Sequence, residues 1–343
     1  SKTFNIGLDA SFFQNRLNVN FDYFYKRTSD ILLPAIVTDI FGASIAKENR
    51  GVMKNQGWEV TINYNLQHDG WDHKFSLNLA DSKNEVVKYG TPKIASNDGV
   101  TVLIQEGLAL NSYFGYKVAG YFSGYDDSQE AAIPTSIDRT QLRPGDVRYV
   151  DIDGNGVIDT NDRTYLGYGF PRYTFGFTYN VSWKGIDLSL MLPGVLMRTN
   201  AIRGELVEPF HADYGLTMYE HQLDYWTPQN TDARWPRLAK AQTVSASNNW
   251  GQPGSQINMI DGAYLRVKNI QIGYTLPKKW TQKFGCKNLR IYVAAQNPLT
   301  FTKYDFIDPE TSEFGSNMSR SGANSVRNYP PLRYWGGGIN LTF

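Results

Sequence analysis

The chain has one cysteine, Cys286, among 343 residues, so it holds no internal disulfide and no cysteine pair for a zinc knuckle or a CxxC redox site. Histidine is scarce, with four in all, and HExxH, GxSxG and Walker sequences are missing, which removes the common hydrolase and nucleotide-binding signatures. Excess charge of one sign is absent too. The 34 Lys and Arg against 33 Asp and Glu leave a formal +1, so no nucleic-acid partner is expected. No run approaches the roughly 18 apolar residues of a membrane helix. The most apolar stretch, Leu188 to Met197, is broken by Ser189, Pro193 and Gly194. The opening Ser1-Lys2-Thr3-Phe4 has no secretory leader pattern, and any export signal is expected to lie outside this sequence.

What is abundant is aromatic residues and alternation. The 18 Phe, 8 Trp and 22 Tyr sit in a polar chain, so the rings need a reason other than a bulk core. Phe4, Ile6, Leu8, Ala10 and Phe12 alternate with small or polar residues, as do Leu17 to Tyr25, Trp58 to Leu66 and Phe75 to Leu79. Tyr173 to Trp183 and Ile186 to Leu192 follow the same rule, and so do Ile270 to Leu276, Leu289 to Ala295 and Trp335 to Phe343. A period of two marks strands with one apolar face, and about nine long strands are predicted. Connections alternate between short and long. The long ones cover about 28–55, 83–170, 198–262 and 303–331, all rich in Gly, Pro, Asn, Asp and Ser.

Strands of about ten residues, apolar on one face and Asn, Thr, Ser or Gly on the other, with short turns at one end and long loops at the other, describe an antiparallel transmembrane β-barrel. Tyr25, Trp58, Trp71, Tyr179 and Trp183, near strand ends, suit the aromatic girdles of such a barrel. The competing reading is a soluble β-sandwich, here a calcium-stabilised β-domain with a carbohydrate-binding loop surface. Polar faces built from uncharged residues, and a last strand ending in Phe343, favour the barrel.

Several blocks stand out along the chain: Ala263-Tyr264-Leu265-Arg266-Val267-Lys268-Asn269 continuing to Leu276-Pro277, and Leu289-Arg290-Ile291-Tyr292 continuing to Gln296-Asn297-Pro298. Others are Pro144-Gly145-Asp146-Val147-Arg148-Tyr149 with Asp162-Arg163 and Pro171-Arg172-Tyr173-Thr174-Phe175-Gly176, and Tyr225-Trp226-Thr227-Pro228 with Arg234-Trp235-Pro236-Arg237. Together these blocks resemble the SusC/RagA family of TonB-linked outer-membrane transporters. The resemblance implies the C-terminal part of a barrel of about 22 strands, its lumen plugged, whose plug and N-terminal strands are absent here. It implies as partners the remaining N-terminal part of the same transporter, a SusD-like lipoprotein, TonB through the absent region, and outer-membrane lipid. Its implied cargo is an oligosaccharide or a peptide, and its implied location the bacterial outer membrane, crossed many times. Short turns would then be periplasmic and long loops extracellular. The expected role is wall, selectivity and docking, without catalysis.

One local motif could hold a metal. Asp151, Asp153, Asn155, Asp159 and Asp162 fall at positions 1, 3, 5, 9 and 12 of a calcium-loop pattern, with Gly156 at the sharp turn and the Val157 carbonyl available. Ca2+ or Mg2+ is the candidate ion; an Asx and Gly turn closed by its own hydrogen bonds is the alternative. Substrate contact is expected from loop aromatics interleaved with polar residues, Trp226, Trp235, Trp250, Tyr264 and Tyr304. His68 and His73 are expected at a turn, on opposite faces. His211 and His221 lie near Glu205, Glu208, Asp213 and Glu220, an acidic loop composition that defines no catalytic pair.

Overall fold

The computed structural model describes residues 1–34, 47–97, 100–210, 217–252, 254–310 and 331–343. Its strands, in chain order, are β1 (Lys2–Phe12), β2 (Leu17–Pro34), β3 (Lys47–His68), β4 (Trp71–Lys88), β5 (Lys93–Asn97), β6 (Val100–Ile104), β7 (Ser112–Tyr116), β8 (Val118–Tyr121) and β9 (Val147–Tyr149). They continue as β10 (Arg163–Gly167), β11 (Arg172–Trp183), β12 (Ile186–Met197), β13 (Thr199–Ala201), β14 (Met259–Asp261), β15 (Tyr264–Thr275), β16 (Asn288–Thr302) and β17 (Tyr334–Thr342). Three short helices intervene: α1 (Tyr125–Glu130), α2 (Val244–Asn249) and α3 (Lys278–Thr281).

Nine of the strands form one antiparallel sheet in the order β1-β2-β3-β4-β11-β12-β15-β16-β17, the count read from alternation. Register carries that alternation across the whole sheet. One row of paired residues runs Phe12, Leu17, Tyr64, Phe75, Tyr179, Leu190, Ile270, Ala295, Trp335, apolar at every strand. A neighbouring row runs Asn65, Lys74, Asn180, Ser189, Gln271, Ala294, Gly336, polar or small throughout. A one-residue slip would exchange the faces, so pattern and register specify each other. The apolar face is uncovered: Leu8 is 64%, Val293 61% and Ile339 63% exposed. A β-sandwich would bury such a face under a second sheet, and among the described residues none lies there, as the barrel reading expects. β1 and β17 each pair on one side only, so the sheet is a partial barrel.

Turn chemistry explains the short connections. Asp69-Gly70 (φ 50° and 81°) and Lys184-Gly185 (φ 46° and 89°) are two-residue turns with both residues left-handed, the twist that continues a hairpin without splaying it. Beside them the rings stack: Trp71 on Trp183 with centroids 4.9 Å apart and Phe75 on Tyr179 at 4.7 Å. This corrects the expectation for the histidines. The turn preserves face parity, so His68 opposes Trp71 and His73 opposes Leu66, both on the apolar face. His73 belongs to the ring cluster, its Nδ1 hydrogen-bonded to the Tyr179 hydroxyl at 2.8 Å.

Of segment 28–55, expected as a loop, the described residues 28–34 and 47–55 are largely ladder, and 35–46 lie outside the described residues. The β2–β3 pairing continues to Pro34 opposite Lys47, with shifts around Asp30 at φ 60°. Backbone pairing needs no apolar alternation once register is set, so the hairpin extends past the apolar band. At about 3.3 Å per residue, β3 is far longer than a hydrocarbon layer of about 30 Å. Segments 83–170 and 198–262 are not plain loops either. They hold the sheet β10-β7-β6-β5, the pairs β8/β9 and β13/β14, and helices α1 and α2. Most of 303–331 lies outside the described residues. The best-buried side chains, among them Tyr113, Phe122, Leu142, Ile158 and Ile202, belong to this loop body and not to the long strands.

Candidate functional site: a two-faced wall and its loop body

The inner, polar face is tied by cross-strand bonds. Ser11 donates to Asn18 Oδ1 at 2.7 Å and Thr61 to Asn78 Oδ1 at 2.9 Å, while Arg290 pairs with Asp187 across β16 and β12. Where the wall meets the loop body, buried Arg266 donates to Asp308 Oδ2 at 2.7 Å and lies 3.2 Å from Glu310 Oε2; Lys268 Nζ reaches the same carboxylate at 2.8 Å. These ion pairs pin the chain after β16 to β15.

The loop body is organised by Asp146, which is fully buried. Its Oδ1 accepts from Arg237 Nε at 2.8 Å and Asn249 Nδ2 at 3.0 Å; its Oδ2 accepts from the Arg143 N–H at 2.9 Å and Ser245 Oγ at 2.7 Å. One carboxylate thus joins the 143–149 segment to Arg237 and α2. Asn249 Oδ1 also accepts from Val147 N, and Asn248 Nδ2 donates to Val147 O. The preceding Gly145 has φ 89°, and a Cβ there would stand 2.2 Å from the Trp226 ring. Gly145→Ala is expected to cost more than about 1 kcal/mol, by strain and clash together, and to expose the Trp226 ring. Tryptophan fluorescence quenching by acrylamide would check it; unchanged quenching would contradict the packing.

The aromatic site residues do not form one surface. Trp235 (2% exposed) and Trp250 (6%) lie in the loop core with Ile202, Leu206 and Ile257, so the expectation that they contact cargo is corrected. Residues packing loop on loop in a chain without a conventional core look, in sequence, like residues offered to a ligand. Trp226 is half-buried against Gly145, and Tyr264 is half-buried with the Arg266 guanidinium 5.9 Å from its ring. Tyr304 borders a polar cleft of about 490 Å³ shared with Tyr121, Asp232, Arg234 and Gln256. His221 stacks on Phe306 at 3.9 Å and donates from Nε2 to the Leu206 carbonyl at 2.8 Å; burial holds its pKa below the ordinary value, which suits packing. His211 and Asp213 lie outside the described residues.

In the Asp-rich loop, carboxylate oxygens of Asp151, Asp153 and Asp162 lie within 4.8 Å of one another. The others turn to the backbone: Asn155 Oδ1 accepts from Val157 N and Asp159 Oδ1 from Asn161 N, each closing its own turn. Three carboxylates converge where calcium takes roughly six to eight oxygens, so the donor set fits a divalent cation in part. The converging groups are also spent on N–H donors. Asp151 accepts from Gly156 N and Gly154 N, both at 2.8 Å, and Asp162 accepts from Ile152 N and Asp159 N. The Gly156 N–H, then the Gly154 N–H, hold the Asp151 carboxyl below the usual carboxylate range. A lowered folded pKa contributes stability that is complete above the unfolded pKa and lost as pH falls through the folded one. Amide exchange at Gly154 and Gly156 is therefore expected to accelerate below about pH 4 beyond the intrinsic trend, and Asp151→Asn to abolish that pH step.

A sheet with an uncovered apolar face, a hydrogen-bonded polar face, ringed turns at one end and a folded loop body at the other is the wall of a membrane β-barrel. Among the described residues no helix is long and apolar enough to cross a membrane. The family model described as TonB dependent receptor-like, beta-barrel matches residues 1–297, and the chain belongs to that family of bacterial outer-membrane proteins. It is 31% identical to TonB-dependent receptor P3 of Formosa agariphila over all of this chain and 34% of that protein. It is 25% identical to TonB-dependent receptor SusC of Bacteroides thetaiotaomicron, over 90% of this chain and 29% of that protein. Among solved structures it resembles the RagAB peptide importer in its open-open state, with a TM-score of 0.71 and 24% identity over 99% of this chain and 34% of that one. The closed-closed state gives 0.69 and 25%, over 99% and 35%. The chain thus spans about a third of these relatives, which are receptors and transporters and not enzymes.

Proposed function

We propose that this chain is the C-terminal wall of a TonB-dependent outer-membrane importer of oligosaccharides or oligopeptides that works with a SusD-like surface lipoprotein. The observation that carries this reading is the nine-strand sheet itself, apolar outside, polar inside and open at both edges, with its loop mass at one end. The open edges call for the plug-bearing remainder of the transporter to complete the barrel, since unpaired strand edges are not tolerated in lipid. The segments within 83–170 and 198–262 face outward in this reading and form part of the surface on which the lipoprotein sits. Cargo meets Asn, Ser, Thr and Gln of the inner face, and the Tyr304 cleft supplies a flat ring beside polar groups. As a companion proposal, the Asp151, Asp153 and Asp162 carboxylates take a calcium ion that stiffens the loop, tested by calcium-dependent protection of residues 151–162 from proteolysis.

The test is native and then denaturing mass analysis of the detergent-extracted complex. Co-purification with a plug-bearing part and a lipoprotein, together with loss of growth on an oligosaccharide or peptide source when the chain is deleted, is expected. A lone species soluble without detergent would refute the proposal.

A further inference from the structure

Neighbouring strands lose register at one level of the sheet. The β12–β15 ladder slips between Met191 and Gly194 and the β15–β16 ladder between Val267 and Asn269; Asn297 of β16, opposite that slip, has φ 51° and precedes Pro298, which has no N–H to give. Bulges bend the strands that carry them. On the apolar face the bend leaves a groove of about 890 Å³, floored by Ala295 and Gly337 and walled by Leu192, Leu265, Phe301 and Trp335. At that floor alanine and glycine stand among the branched chains and rings that line the rest of the groove.

The two strands on the far side of the groove each end, towards the loop body, in a cation that continues the outward alternation. Lys303 follows Leu299 and Phe301, and Arg333 precedes Trp335. Both are exposed. Lys303 Nζ lies 5.6 Å from the Tyr304 ring centroid, and Arg333 has no hydrogen bond or ion pair with any of the described residues. The outward positions of β15, β16 and β17 below them carry no acid that would neutralise either.

We propose that this groove binds a net-anionic lipid of the surrounding membrane that carries phosphate monoesters, with acyl chains lodged across β12, β15, β16 and β17 and the phosphates held by Arg333 and Lys303. The inference rests on the membrane-wall reading above. A flat apolar wall meets lipid on one side, whereas a groove surrounds a chain and multiplies its dispersion contacts. Guanidinium and ammonium donors at the interface add charge-assisted hydrogen bonds to phosphate oxygens. A second copy fits less well, because a two-fold contact would set groove against groove and leave a void between them.

The complete transporter that carries this chain, purified in a mild non-ionic detergent, is incubated with diphosphorylated lipid A or with phosphatidylcholine and examined by native mass spectrometry. Retention of lipid A in preference to phosphatidylcholine is expected, undiminished by free inorganic phosphate. Joint Arg333→Gln and Lys303→Gln substitution lowers retention roughly tenfold. Val293→Trp, which fills the groove from an exposed position, does the same, and Leu8→Trp on the same face outside the groove leaves it unchanged. Should Val293→Trp not assemble, the charge variant decides alone, since both its positions are exposed. Equal retention of the two lipids, unchanged retention in the charge variant, or a second protein copy in place of lipid would overturn the site. A transporter that needs no detergent fails the membrane-wall reading instead, before any lipid is added.

Discussion

Replacing Leu77 by arginine is expected to destabilise the barrel by about 2–4 kcal/mol, while Ser76→Arg, one residue away, costs far less. Leu77 opposes Ile62 on one side and Phe177 on the other, midway along the apolar face between the stacked rings near Trp71 and the polar end near Asp81. A guanidinium there sits where the hydrocarbon is deepest and has no partner within reach of its fork. Ser76 points to the other face, beside Asn63 and Thr178, where water and amides receive a charge. Urea unfolding of the reconstituted transporter, followed by heat-modifiable migration, separates the two. Equal losses would mean that the faces are not divided between lipid and lumen.

Asp146→Ala carries the second large effect, confined to the loop body. Removing a carboxylate that satisfies four donors leaves the Arg237 guanidinium without its partner and Asn249, Ser245 and the Arg143 N–H without an acceptor. Breaking a buried pair in this way costs about 3–5 kcal/mol. The loss should appear as rapid hydrogen exchange across residues 143–149 and α2, with exchange in the long strands unchanged, because the β-ladders do not depend on this carboxylate. Asp146→Asn keeps the shape and one acceptor and should fall between. Uniform protection in Asp146→Ala would show that the segments are held together by their apolar contacts alone.

The two faces of the nine long strands, and the tight turns between them, were legible from local pattern. Phe4 to Phe12 and Leu17 to Tyr25 announce both faces of a hairpin, and Asp69-Gly70 and Lys184-Gly185 announce where hairpins close, because period-two alternation and left-handed turns are local properties. The extent of β2 and β3 was not legible. Arg27, Thr28 and the Asn-rich start of β3 have no alternation to read, and their pairing is backbone bonding continued from register set lower down. The histidines show the same limit. Their faces depend on turn parity, and the two-residue turn Asp69-Gly70 puts His68 and His73 together on the apolar face.

Sequence by itself determined the two-faced wall: an apolar set and a polar set whose separation survives only in one register, and a family signature spread along the chain. Tertiary structure alone decided what the aromatics in the long connections are for. Trp235 and Trp250 fill the core of a small folded body, since a wall that gives its apolar face to lipid leaves the connections to build a core of their own. It also decided that Asp146 is a structural hub and that Asp151 closes its own turn, because a carboxylate's role is set by the donors brought to it from distant segments or from its own loop.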